Sequence, residues 1–155
     1  MLTRTDAILG NETRKFKSLG FGDGLASISA ILLNDEYYQL LSDGRIVVDD
    51  IPMLSYSYLV LFKAKAWLNL TAEKDDGKHV NSNDIKKHIN DIARLSVLFT
   101  GTDSVTVPTT VYNDLHEFIN AFESKPPIME DLEIPVITSS DVIEALRSVY
   151  STVDK

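Results

Sequence analysis

The chain has no cysteine among its 155 residues. That excludes a disulfide framework, thiolate metal sites and a cysteine nucleophile, and it suits a reducing compartment. Basic residues are also in short supply. Fifteen Lys and Arg stand against 23 Asp and Glu, leaving a formal net charge of −8. An acidic surface repels phosphate backbones and anionic lipid, so neither nucleic acid nor a membrane surface is an expected partner. No apolar run approaches the ~20 residues that span a bilayer. The opening Met1-Leu2-Thr3-Arg4-Thr5-Asp6 lacks a basic stretch followed by an apolar core, so no signal peptide is expected. Together these features point to a cytoplasmic protein. There is no Gly-x-Ser-x-Gly and no P-loop. His79, His88 and His116 have no metal-ligand spacing among them, so no metal site is expected.

The length fits one domain over residues 1–155 and a core that needs no covalent staple. Residues 1–24 read as a loop-like lead-in and hold four of the seven glycines. Gly20-Phe21-Gly22-Asp23-Gly24 has the composition of a phosphate cradle, but no predicted helix follows it directly, so it reads as an ordinary loop. Residues 26–33 form a buried apolar run suited to a strand. Asn34 or Asp35 caps a short helix that stops at Asp43-Gly44. Arg45–Val48 and Ile51–Leu54 read as strands about an Asp49-Asp50 turn. Apolar spacing then changes to that of helices: one from Ser55 to about Ala72, one from about Asp84 to Phe99 behind Asn81 or Ser82, one from Thr109 to Lys125-Pro126-Pro127, and a last one capped by Ser140 or Asp141. Val105–Val107 suits a short strand. The predicted class is α+β, with a small sheet over about 26–54 and a helical C-terminal part of four longer helices.

Two of these helices carry polar residues in unexpected places. Successive helical residues turn by about 100°. On the first long helix, Leu59, Val60, Ala66, Trp67 and Leu70 share a sector, and Lys63 falls in its middle. Lys65 points elsewhere, towards Asn69 and water. A buried ammonium needs a carboxylate or must lose its proton. On the next helix Ile85, Ile89, Ile92, Ser96 and Phe99 form the inner face, with His88 inside it and Asp91 at its edge, while Lys86, Asn90 and Arg94 face outward. A short loop favours antiparallel packing of the two helices, which brings Lys63 within reach of Asp91 or His88. Structural roles also account for these residues. Lys63 can lay its stem along the core edge, His88 can bond a backbone carbonyl, and Asp91 can pair with Lys87 one turn earlier.

Tyr58-Leu59-Val60-Leu61-Phe62-Lys63-Ala64-Lys65-Ala66-Trp67-Leu68-Asn69-Leu70, followed by Asp84-Ile85-Lys86-Lys87-His88-Ile89-Asn90-Asp91-Ile92-Ala93-Arg94-Leu95, resembles the second half of bacterial nucleotidyltransferase-like proteins related to the AbiEii/AbiGii abortive-infection toxins. Residues 27–38 fit the same group, and the resemblance covers roughly 25–100. It implies that Lys63 and Asp91 match catalytic positions and that Lys63, Lys87 and His88 are phosphate-binding candidates. His88 stands where those toxins usually carry an acid. It also implies Mg²⁺ and a nucleoside triphosphate as the family's cofactors. The family's Gly-Ser loop and metal-binding carboxylates lie N-terminal to the matched region and have no counterpart in residues 1–50. The expectation is therefore the C-terminal portion of such a protein, inactive as this chain, with Lys63 able to bind a phosphate but not to drive transfer. The rival is a non-enzymatic binding or scaffolding protein whose exposed sheet edge takes a protein partner or a second copy of itself.

Overall fold

The protein is described from a computed structural model covering residues 34–134 and 137–153. The strand expected at 26–33, the Gly20–Gly24 loop and Pro135 lie outside the described residues. Those residues contain five α-helices and two two-stranded pairs, an α+β arrangement with its helices mostly towards the C-terminus. The chain divides into two compact units, Met1–Ser55 and Tyr56–Lys155.

In the first unit, helix α1 spans Asp35–Asp43 and buries Tyr37 and Leu40. Asn34 caps it as expected, its side-chain oxygen accepting from the Glu36 N–H at 2.8 Å. The Gly44 N–H turns back to the Leu40 carbonyl and ends the helix. Strands β1 (Arg45–Val48) and β2 (Ile51–Leu54) then pair antiparallel, Val48 opposite Ile51 and Arg45 opposite Leu54. Asp49 and Asp50 both take positive φ, 49° and 64°. A two-residue type I′ turn requires this of both central residues, and Asp tolerates it better than most side chains.

In the second unit, helix α2 (Tyr56–Asp75) is the central element. It packs against both α3 (Ser82–Ser96) and α4 (Thr109–Ser124). Its buried residues are Ser57, Val60, Leu61, Phe62, Ala64 and Ala66, a set that wraps around the helix. The single apolar sector read from the sequence was too narrow. Leu59, Trp67 and Leu70 are only half-buried, because a helix flanked on two sides must be apolar on both. Helix α4 supplies Val111, Leu115, Phe118, Ile119 and Phe122 to the core, and Trp67 meets Phe118 edge-on at 5.3 Å.

After α4 come a single 3₁₀ turn at Met129–Leu132 and helix α5 (Ser139–Val149). The cap of α5 is Thr138, not Ser140 or Asp141. Asp141 is the reciprocal member of a capping box: its carboxylate accepts from the Thr138 N–H at 2.7 Å, and its own N–H donates to Thr138 Oγ1 at 3.2 Å. Strand β3 (Val105–Val107) pairs in parallel with a strand the sequence reading did not anticipate, β4 (Tyr150–Thr152), which follows α5 without a loop. A parallel pair needs a long crossover, and the segment containing α4 and α5 provides it. Among the described residues the strands thus form two separate pairs, the N-terminal hairpin and the β3–β4 pair.

Candidate functional site

Helix α3 starts at an Asn81 cap, whose side chain accepts from the Asn83 N–H. Its buried residues are Ile92, Ala93 and Ser96. That phase sets His88 and Asp91 half-buried along the boundary with α2. The Lys63 ammonium donates to Asp91 Oδ2 at 2.6 Å, and the side chains retain 20% and 25% of their exposure. The pair anticipated from helical phase is therefore formed, at the rim of the helix–helix contact rather than in its depth. Arg94 lies 3.7 Å from the other Asp91 oxygen, one turn further along α3. Asp91 is thus engaged by two cations, Lys63 and Arg94, rather than by Lys87 one turn earlier.

His88 sits one turn before Asp91. Burial is the main cause holding its pKa below the ordinary histidine value, and the Lys63 ammonium adds to this, while Asp91 and Asp84 pull the other way. His88 Nδ1 is buried with no hydrogen-bond partner among the described residues. The imidazole is accordingly neutral near pH 7, an uncharged polar group beside an ion pair. Lys87 is exposed and adjacent to it in sequence. Of the residues singled out by the resemblance, Lys63 and Asp91 are in direct contact, His88 lies within their electrostatic reach, and Lys87 stands on the solvent side.

Two outward placements read from the sequence are corrected. Lys65 is not free in water. Its ammonium lies 2.9 Å from Asp114 Oδ2 on α4, with 24% of its side-chain exposure left, close to the value for Lys63. The reason is again the second neighbour of α2, which a pairwise antiparallel picture omits. Asn90 is half-buried, and its Oδ1 is buried without a partner among the described residues.

A second polar cluster was missed. Phe99, just beyond α3, packs against Tyr56 at 5.6 Å and Tyr150 at 6.0 Å. Asp103 accepts from the Tyr56 hydroxyl and from the Thr100 N–H, at 2.9 Å and 2.6 Å. The Thr100 amide first, then Tyr56, holds the Asp103 carboxyl below its usual pKa. The Tyr150 hydroxyl donates to the Ser57 carbonyl, and burial pushes its pKa up. By bonding Tyr56 at the start of α2 as well as the Thr100 amide, Asp103 clamps the loop after α3 onto the start of α2. The Thr100-x-x-Asp103 spacing is a local turn signal legible in the sequence, but the Tyr56 partner, 47 positions away, is not.

The described residues of the α2–α3 rim do not fit a Mg²⁺ ion. Asp91 already faces Lys63 and Arg94, two cations that would repel a dication. No cluster of three or more potential His, Asp or Glu ligands occurs among the described residues. What the α2–α3 rim can do chemically is hold an ion pair, keep one imidazole neutral and offer partly accessible positive charge. No family model, no curated protein and no solved structure matches the chain.

Proposed function

We propose that this chain is a nucleotidyltransferase-like protein without the catalytic metal-binding half, inactive in transfer by itself. The observation that supports the reading is the 2.6 Å contact between Lys63 and Asp91, the two residues that the resemblance to the AbiEii/AbiGii group pairs across these helices. In this reading Asp91 orients the Lys63 ammonium, and Lys63, His88 and exposed Lys87 offer donors and charge to a nucleotide phosphate. Without metal-holding carboxylates, nothing aligns a triphosphate for displacement. The purified chain, incubated with Mg²⁺ and each of the four ribonucleoside triphosphates, should label neither RNA nor protein. Robust transfer that Lys63→Ala abolishes would overturn the reading. Titration with ATP should shift the backbone amides around Lys63, Lys87 and His88, and no shift there would make the constellation purely structural.

A second reading has its own observation. Strands β1 and β2 expose Ile46, Val47, Val48, Ile51 and Met53, with Val47 at 61%. A hairpin that leaves these residues open suits a non-enzymatic binding or scaffolding protein. The apolar dye anilinonaphthalene sulfonate should bind the native chain and bind less to the Ile46→Lys, Ile51→Lys double variant. A native chain that leaves the dye dark removes this reading.

A further inference from the structure

His88 presents its two ring nitrogens to different surroundings. Nδ1 is buried and has no hydrogen-bond partner among the described residues, while Nε2 is not buried. An N–H enclosed without an acceptor is less tolerable than an unused lone pair. The neutral ring therefore carries its proton on Nε2, towards solvent. A second proton must go to the enclosed Nδ1. The charged groups that act on the ring are Lys63 on α2 and Asp84, Lys87 and Asp91 on α3. Helix α5 also packs on α3, but its Asp141, Glu144 and Arg147 are not among them. Burial, and after it the Lys63 ammonium, opposes the second proton.

The same ammonium is the foothold for an anion. Lys63 uses one of its three N–H donors on Asp91, and its side chain keeps 20% of its exposure. Arg94, 48% exposed, stands 3.7 Å from the other Asp91 oxygen, and Lys87 is exposed beside His88 in sequence. An anion bonded to Lys63 offsets the repulsion that this ammonium exerts on the His88 ring, and it attracts the imidazolium directly. We propose that His88 couples anion binding at this rim to protons, so that a doubly charged phosphate-class oxyanion and a second proton on the ring each strengthen the binding of the other. The proposal rests on the phosphate-binding reading above and names its regulation. At pH 7.5 the ring offers only an uncharged Nε2–H. In acid it adds a full positive charge to those of Lys63, Lys87 and Arg94.

Sulfate is the probe, because it stays doubly charged where a phosphate group gains a proton. The full chain is titrated with sodium sulfate at constant ionic strength, and the amides of Lys63, Lys87 and His88 are followed by NMR. From pH 7.5 to pH 5.0 the affinity should rise at least about threefold, as one more partly screened charge supplies. In His88→Gln it should stay nearly flat, with folding checked by circular dichroism. By reciprocity, saturating sulfate should raise the titration midpoint of the His88 ring protons by about half a pH unit or more. That readout needs no variant. A native affinity that is flat with pH overturns the proposal, as does an equal rise in His88→Gln or a ring midpoint indifferent to sulfate. Binding that is flat with pH leaves the phosphate reading standing and removes only the proton coupling. Amides that do not move with sulfate at either pH remove both.

Discussion

Lys63 and Lys65 are two positions apart on α2, yet each ends on an aspartate of a different helix, Asp91 on α3 and Asp114 on α4. Both pairs are partly screened by solvent, so each falls between an exposed pair and a buried one. Asp91→Ala should cost about 1–2 kcal/mol in a urea melt, since it leaves Lys63 half-buried beside Arg94. Lys65→Ala should cost about 1 kcal/mol, more than an ordinary surface substitution. If both variants lie within about 0.5 kcal/mol of the native chain, the pairs are surface decoration. His88 adds a pH dependence. Its folded pKa lies below the unfolded value of about 6.5. Between those two values the unfolded chain binds more protons than the native one. Stability from this residue is therefore full above about pH 6.5 and is lost as pH falls through the folded pKa. Thermal melts should show the midpoint falling from pH 7.5 to pH 5.5, and less steeply in His88→Gln. His116, whose pKa is lowered chiefly by burial, contributes in the same direction, so a residual slope should survive in that variant.

At the scale of elements, α2 depends on small residues where it is enclosed. Ala64 and Ala66 keep 1% and 2% of their exposure and, two positions apart, face nearly opposite sides of the helix, so each of those sides is enclosed around a methyl group. Ala64→Leu should destabilise the protein by about 1–3 kcal/mol through overpacking. The same change at exposed Ala72, near the end of the helix, should stay within about 0.5 kcal/mol. Thermal melts of the two variants would show the contrast, and equal effects would mean that α2 is not enclosed at Ala64. The helix spans 56–75 rather than ending near Ala72. Its last turn is polar, so hydrophobic period carries no signal there, and the Lys74 ammonium instead bonds Ser82 Oγ at 2.9 Å. α5 shows the same weakness of local signals in the other direction. Thr138, Ser139, Ser140 and Asp141 are all acceptable caps by type, and only the reciprocal bond geometry selects Thr138.

At the scale of the whole chain, the unit from Tyr56 to Lys155 has a core of its own. Val60, Leu61, Ile92, Val111, Leu115, Phe118, Ile119, Phe122, Val142, Leu146 and Val149 are each at least nine-tenths buried. Residues 56–155 expressed alone should fold cooperatively, as a single sigmoidal urea transition would show. A gradual, probe-dependent transition would mean that this core needs the preceding segment.

The sequence by itself determined the α+β class, the positions of the long helices, the Asp49-Asp50 turn and the approach of Lys63 to the His88–Asp91 edge of the next helix; the structure selected Asp91. Each rests on a local period or on a short loop that forces neighbouring helices together. Only the tertiary structure decided the rest. β4 is three residues long and continuous with α5, and it exists as a strand because Val105–Val107 lies alongside it. Lys65 finds Asp114, and Tyr56 finds Asp103, across 49 and 47 positions of chain. The second buried side of α2 arises because α4 returns to cover it. Helical phase states where a side chain points, but which element waits there is set by packing between segments remote in sequence.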